Sequence, residues 1–141
     1  MSPGALHGDV GPDPEVHGVR GAELPDGLVE AVNGYEAALM RDDLEQMDRY
    51  FAPGERTLRA DGTGVLVGHE AISRYRRTRG GAARRTVTAM HVRPVGDRHA
   101  WVLSESVGIL GGTGLVSQLW ERDEGVWRIV AAHVSQSPIS S

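Results

Sequence analysis

The chain has 141 residues, no Cys and a formal net charge of -4, which suits one domain rather than two. Without Cys there is no disulfide, thiolate nucleophile or zinc ribbon, and because small secreted domains often lean on disulfides, a cytoplasmic location is the expectation. Mild acidity argues against a nucleic-acid partner, since neutralising phosphates supplies most of that affinity. No apolar run reaches the roughly 18 residues of a membrane span, so no membrane partner is expected either.

Residues 1–23 are rich in Gly and Pro and show no hydrophobic period. They read as a disordered arm with too little apolar surface to offset the entropy of ordering. A domain over 24–141 follows. Pro25 and Asp26 suit the start of a helix, and Leu28, Val32, Tyr35 and Leu39 then fall on one helical face. Asp43 and Gln46 make a capping-box pattern for a second short helix, with Leu44, Met47 and Phe51 as its apolar face. Pro53-Gly54 ends it.

Arg56 to Ala60 and Val65 to Val67 read as two short strands about a turn at Asp61-Gly62-Thr63-Gly64. A third helix follows Gly68, with Ile72 and Tyr75 on one side, and Gly80-Gly81 stops it. Four strands fill the rest: Thr86 to Val95, His99 to Ile109, Leu115 to Arg122 and Val126 to Ser135. Alternation puts Trp101, Leu103, Val107 and Ile109 on one face of the second of these. In the last, it groups Trp127, Ile129, Ala131, His133 and Ser135. Helices first and an antiparallel meander afterwards imply an α+β fold, a curved antiparallel sheet wrapped on the long first helix with a cavity at the open end.

Several polar residues interrupt this apolar pattern. The phenol of Tyr35 points where the leucines of its helix point and needs a hydrogen-bond partner if buried. Arg59 alternates with Leu58, so one of them faces inward. A buried guanidinium keeps its charge and requires an anion. That anion is either a ligand carboxylate or phosphate, or a side chain such as Glu55, Asp61 or Glu105. An Arg beside Tyr35 would lower its pKa toward phenolate. His133 is a core histidine with one backbone partner, a pocket-lining residue or a general base. With Ser135 and Gln118 it makes a polar patch in an apolar sheet, as a pocket floor would. Glu105 and Gln118 each alternate with apolar neighbours, and a one-residue slip of register would exchange the faces.

Arg74, Arg76, Arg77, Arg79, Arg84 and Arg85 form a basic run. It is either the solvated side of the third helix or an anion funnel at the pocket mouth. His69, His91, His99 and His133 lack the spacing of a metal site. The run Gly111 to Gly114 joins two strands rather than a strand and a helix, so no dinucleotide site is indicated. Neither metal nor organic cofactor is expected.

Tyr35-Glu36-Ala37-Ala38-Leu39 with Asp42-Asp43, Arg59, Gly68 with Ile72, Tyr75 and Arg76, Ser117-Gln118-Leu119-Trp120, and the run from Trp127 to Ser135 together resemble the AtzH-like family of the nuclear transport factor 2-like (SnoaL-like, cystatin-like) superfamily. The chain departs from that pattern at Ala60-Asp61, where an aromatic residue or Gly is expected, and in its long N-terminal arm. The resemblance implies a cone-shaped fold that dimerises through its sheet, and a role in breaking down small nitrogen compounds. It implies a catalytic pair, Tyr35 and Arg59. To this the residue pattern adds Gln118, His133, Ser135, Glu105 and Arg76 as the expected substrate-binding set. The function so implied is cleavage of a C–N bond in a small, anionic carboxylated urea or amide. Two alternatives stand beside it: a SnoaL-like cyclase, isomerase or dehydratase, and a non-catalytic ligand-binding subunit serving an amidase.

Overall fold

A computed structural model describes residues 15–17, 24–79 and 84–137. In chain order the elements are β1 (Glu15–His17), α1 (Leu28–Met40), α2 (Leu44–Tyr50), β2 (Leu58–Asp61), β3 (Gly64–Val67), α3 (His69–Thr78), β4 (Arg85–Val95), β5 (His99–Gly108), β6 (Thr113–Asp123) and β7 (Val126–Ser137). The strands form one curved sheet in the order β1-β4-β5-β6-β7-β2-β3. The α+β segregation expected from the element order is what the structure has.

The helix faces follow the sequence period. On α1, Leu28, Val32, Tyr35, Ala38 and Leu39 are buried. The helix opens at Gly27, whose φ of 80° is a left-handed conformation that glycine adopts without a Cβ penalty. At α2 the Asp43 carboxylate accepts from the Gln46 backbone N–H at 3.1 Å, one half of the capping box. The core is closed by Leu28, Met47, Phe51, Ile72, Trp120 and Ile129. The Trp127 indole N–H donates to the Asp26 carbonyl at 2.8 Å and ties the last strand to the approach to α1.

Two expectations about the sheet need correction. It is mixed rather than antiparallel: β4 to β7 form the antiparallel meander, but β2 runs parallel to β7 and β1 parallel to β4. Parallel neighbours need long connections, which the intervening helices and strands provide. Glu15–His17, expected to be part of a disordered arm, forms β1 on the β4 edge. The remainder of 1–23, and the helix stop at Gly80-Gly81, lie outside the described residues.

Sheet parity matters most for the site. In the β6–β7 ladder, Leu119 faces Ala131 and Trp120 faces Ile129, so Val130 is an extra residue in a β-bulge. Before it Trp127 and Ile129 are buried. After it the inward positions are Ala132 and Val134. The single face expected for Trp127, Ile129, Ala131, His133 and Ser135 is therefore broken at Val130. In β5 the helix-facing residues are Ala100, Val102, Ser104 and Ser106, all buried, whereas Trp101 and Val107 are exposed on the opposite face. The apolar face read from the sequence is the outer one.

Candidate functional site

A cavity of about 860 Å³ opens between α1, α3 and the helix-facing side of the sheet, within the size range of small-molecule sites. Tyr35 and Leu39 come from α1, and Tyr75, Arg76 and Arg79 from the α3 segment. Arg59 and Asp61 come from β2, and Ser106, Val116, Gln118, Ala132 and Val134 from the sheet. Ile109 and Leu110, strongly exposed in the β5–β6 connection, form part of the rim.

Tyr35 packs edge-on against the rings of Tyr50, Phe51 and Trp120 at centroid distances of 6.0, 5.8 and 6.5 Å. Burial raises its pKa above the ordinary 10.0. The positive charge of Arg76 and a hydrogen bond from it oppose this, as does the charge of Arg79 more weakly, but the Glu36 carboxylate adds to the rise and desolvation prevails. The phenolate character expected from a neighbouring Arg is corrected: Tyr35 is held as a neutral hydroxyl, a hydrogen-bond donor.

Arg59 is buried and turned inward, as β2 alternation allows, but it is not waiting for an anion. Its Nη1 donates to Asp61 Oδ2 at 2.9 Å, and its guanidinium lies 4.9 Å from the centre of the Tyr75 ring. Asp61 also accepts from the Thr63 hydroxyl and backbone N–H at 2.6 and 2.8 Å. These bonds from Thr63, with Arg59, hold its carboxyl far below the usual carboxylate range. Asp61 is what neutralises Arg59.

Arg76 is 3% exposed. Its Nη1 donates to Asp48 Oδ1 at 2.8 Å and its guanidinium stacks 4.3 Å from the Phe51 ring centre. Asp48 also accepts from the Ser73 hydroxyl at 2.6 Å, and its backbone carbonyl meets His69 Nε2 at 2.7 Å. This α2 residue thereby fixes the inner face of α3. Arg85, on β4, pairs with Glu36 of α1 through two nitrogens at 2.9 Å from one carboxylate oxygen. The described lining contains Arg59, Arg76, Arg79, Arg84 and Arg85, with Asp61 as its only carboxylate. After pairing to Asp61, Asp48 and Glu36, Arg79 and Arg84 remain as the positive surplus.

Gln118 is 5% exposed on the cavity floor, and its Oε1 accepts from Trp120 Nε1 at 2.9 Å. An indole N–H only donates, so this bond fixes the amide orientation and leaves the NH2 end of Gln118 as the donor for the cavity. Of the residues expected at the site, Tyr35, Arg59, Arg76 and Gln118 are brought together. His133, Ser135 and Glu105 are not: all three are exposed on the opposite face. His133 and Ser135 are turned outward by the Val130 bulge. Glu105 shares the outer face of β5 and meets His91 Nε2 at 2.7 Å. Sequence reasoning left Ser106 out of the site, and named Asp61 only as a possible partner of Arg59 and Arg79 only as part of the basic run. Arg79 was signalled by its position three residues after Arg76, on the same helical face.

The family model AtzH-like matches residues 19–139. The chain belongs to the AtzH-like family. Its fold is shared with solved structures of cystatin-like and nuclear transport factor 2-like proteins. A cystatin-like fold protein from Burkholderia xenovorans is 30% identical with a TM-score of 0.73, over 80% of this chain and 91% of that one. A protein of unknown function from Pectobacterium atrosepticum is also 30% identical with a TM-score of 0.73, over 79% and 88%. A nuclear transport factor 2-like protein of unknown function from Shewanella oneidensis shares the fold at 19% identity, with a TM-score of 0.64 over 78% and 97%. No curated protein matches the chain. Family membership and fold support a cavity that takes a small molecule. Among the described residues, no three His, Asp or Glu are grouped to hold a metal, and no helix is long and apolar enough to cross a membrane.

Proposed function

We propose that the protein is a small-molecule enzyme that cleaves a C–N bond of a carboxylated urea or amide. The observation that carries this reading is the polarity of the cavity. Tyr35 hydroxyl, Gln118 amide and the guanidiniums of Arg59, Arg76 and Arg79 are all donors. The single carboxylate of the described lining, Asp61, is engaged by Arg59 and Thr63 and is a weak base. Such a cavity matches a substrate rich in acceptors, namely carboxylate and carbonyl oxygens.

It also suits chemistry assisted by an acid more than by a base. In an N-carboxylated substrate the C–N bond breaks, carbon dioxide departs, and the bonding pair stays on nitrogen. The nitrogen takes the Tyr35 proton. The transient phenolate sits beside Arg76 and is reprotonated from solvent. Gln118 would orient the carbonyl, and the arginines would hold the carboxylate.

Turnover of ureido and amido carboxylates by purified wild type and Tyr35→Phe tests the reading. The expected loss in kcat is at least about 100-fold, the lower end for a positioned proton donor. A folded Tyr35→Phe protein that turns substrate over like wild type overturns it. The cavity volume supports a second reading, a SnoaL-like cyclase or isomerase acting on a larger organic acid. About 860 Å³ exceeds what a short urea fills, and Leu39, Phe51, Val116 and Val134 give it apolar walls. Turnover or tight binding of bulky polycyclic acids in preference to small ones would select this reading.

A further inference from the structure

Two nitrogens in the cavity wall are buried without a well-formed hydrogen bond among the described residues, Arg76 Nη2 and Arg79 Nε. The Tyr35 hydroxyl is close enough to Arg76 for a weak hydrogen bond that lowers the Tyr35 pKa. Both side chains line the same cavity. They are three residues apart in sequence, at the end of α3, and so share a helical face. Their planes are steadied from the side, Arg76 over Phe51 at 4.3 Å and Arg79 over Tyr75 at 5.5 Å.

Arg76 is not simply misplaced. Its Nη1 is held by Asp48, so the orientation that leaves Nη2 unpaired is enforced from behind. A buried charged donor without a partner is costly, and native structures keep few of them. Arg59, like Arg76, has an internal carboxylate partner, Asp61 at 2.9 Å, but unlike Arg76 it has no buried nitrogen left over among the described residues.

We propose that Arg76 Nη2 and Arg79 Nε anchor a carboxylate of the ligand, and that Arg59 is a positioning residue rather than the principal clamp. A planar carboxylate offers acceptor lone pairs to both guanidiniums, which suits it better than a neutral amide or a spherical halide. The rest of the ligand then extends along Tyr35 and Gln118. The inference rests on the cavity being the ligand site but not on the reaction, so it holds for either chemistry above.

The test is calorimetric titration of the full-length chain with oxamate and N-carbamoylglycinate, and with their neutral amides. Wild type is expected to bind the carboxylates and to bind the amides at least tenfold more weakly, roughly the effect of one charged hydrogen bond. Arg79→Gln is expected to weaken carboxylate binding by about tenfold or more with unfolding temperature unchanged. Arg76→Lys, which keeps a charge for Asp48 but removes Nη2, is expected to weaken carboxylate binding likewise. Arg59→Gln should weaken binding less than Arg79→Gln does. Carboxylate affinity unchanged in Arg79→Gln, or abolished in Arg59→Gln alone, overturns the assignment. So does a wild type that binds neither carboxylate at millimolar concentration. Binding is read without turnover, so loss of the proposed reaction in Tyr35→Phe and loss of the anchor in Arg79→Gln are separate results.

Discussion

At the scale of single residues, the site works by setting burial against charge. Tyr35 sits among three aromatic rings and within the influence of two arginines, and burial wins. The consequence for stability has a definite sign. Folding raises the Tyr35 pKa above 10.0, so folding favours the protonated phenol. This contribution is intact below pH 10 and is lost as pH climbs from there through the higher folded-state value. Thermal unfolding followed across the alkaline range should show wild type losing stability more steeply above pH 10 than Tyr35→Phe. Parallel profiles would mean that the phenol is not desolvated in the folded chain. The same contest decides between the two readings of Arg59 that the sequence left open. A lone inward Arg implies a ligand, but Asp61, two residues on along the same strand face, supplies the anion internally. Nothing in the local pattern says whether two like-facing residues of opposite charge will turn toward each other or toward a ligand.

At the scale of elements, the cavity depends on how α2 holds α3. Asp48 accepts from Ser73, Arg76 and Arg77. Asp48→Ala leaves the Arg76 charge buried without its partner, and should destabilise the fold by about 3–5 kcal/mol. A urea denaturation midpoint measures this directly. Glu70→Ala is the control, because it removes only an exposed ion pair with Arg74 and should shift the midpoint little. Helical elements were legible because one face is apolar and the other is not: Leu28, Val32, Tyr35 and Leu39 are buried as their spacing implies. The sheet was less legible, for two physical reasons. The helix-facing side of β5 carries Ala100, Val102, Ser104 and Ser106, small residues that leave room for the helices and the cavity. The larger apolar side chains are on the other face, so hydrophobicity points the wrong way. In β7, one extra residue at Val130 reverses parity, and no residue type in the Ile129-Val130-Ala131 run announces it. That reversal moved His133 and Ser135 out of the site, while Gln118, in the strand opposite, kept its inward place.

At the scale of the whole molecule, the outer face of the sheet carries an exposed apolar row. Ladder register aligns Trp101 with Leu119, Leu119 with Ala131, Ala131 with Leu58, and Leu58 with Val67. This gives an apolar row across five adjacent strands, in which Trp101, Leu58 and Val67 are 45%, 41% and 62% exposed. Contiguous exposed apolar surface of this kind marks an association site. A sheet face that meets its own copy about a two-fold axis would cover the row with itself, Trp101 supplying the large aromatic anchor typical of such interfaces. We therefore expect a homodimer through the outer sheet face, with both cavities on the outside of the pair. Trp101→Glu should weaken it by at least about 2 kcal/mol, roughly thirtyfold in dissociation constant. Because Trp101 points away from the cavity, carboxylate binding should survive the substitution. Sedimentation at tens of micromolar distinguishes the cases. A wild type that sediments as a monomer rules out the dimer. A Trp101→Glu protein that stays dimeric places the interface elsewhere. The expected shift to monomer with binding preserved separates the face that associates from the face that binds.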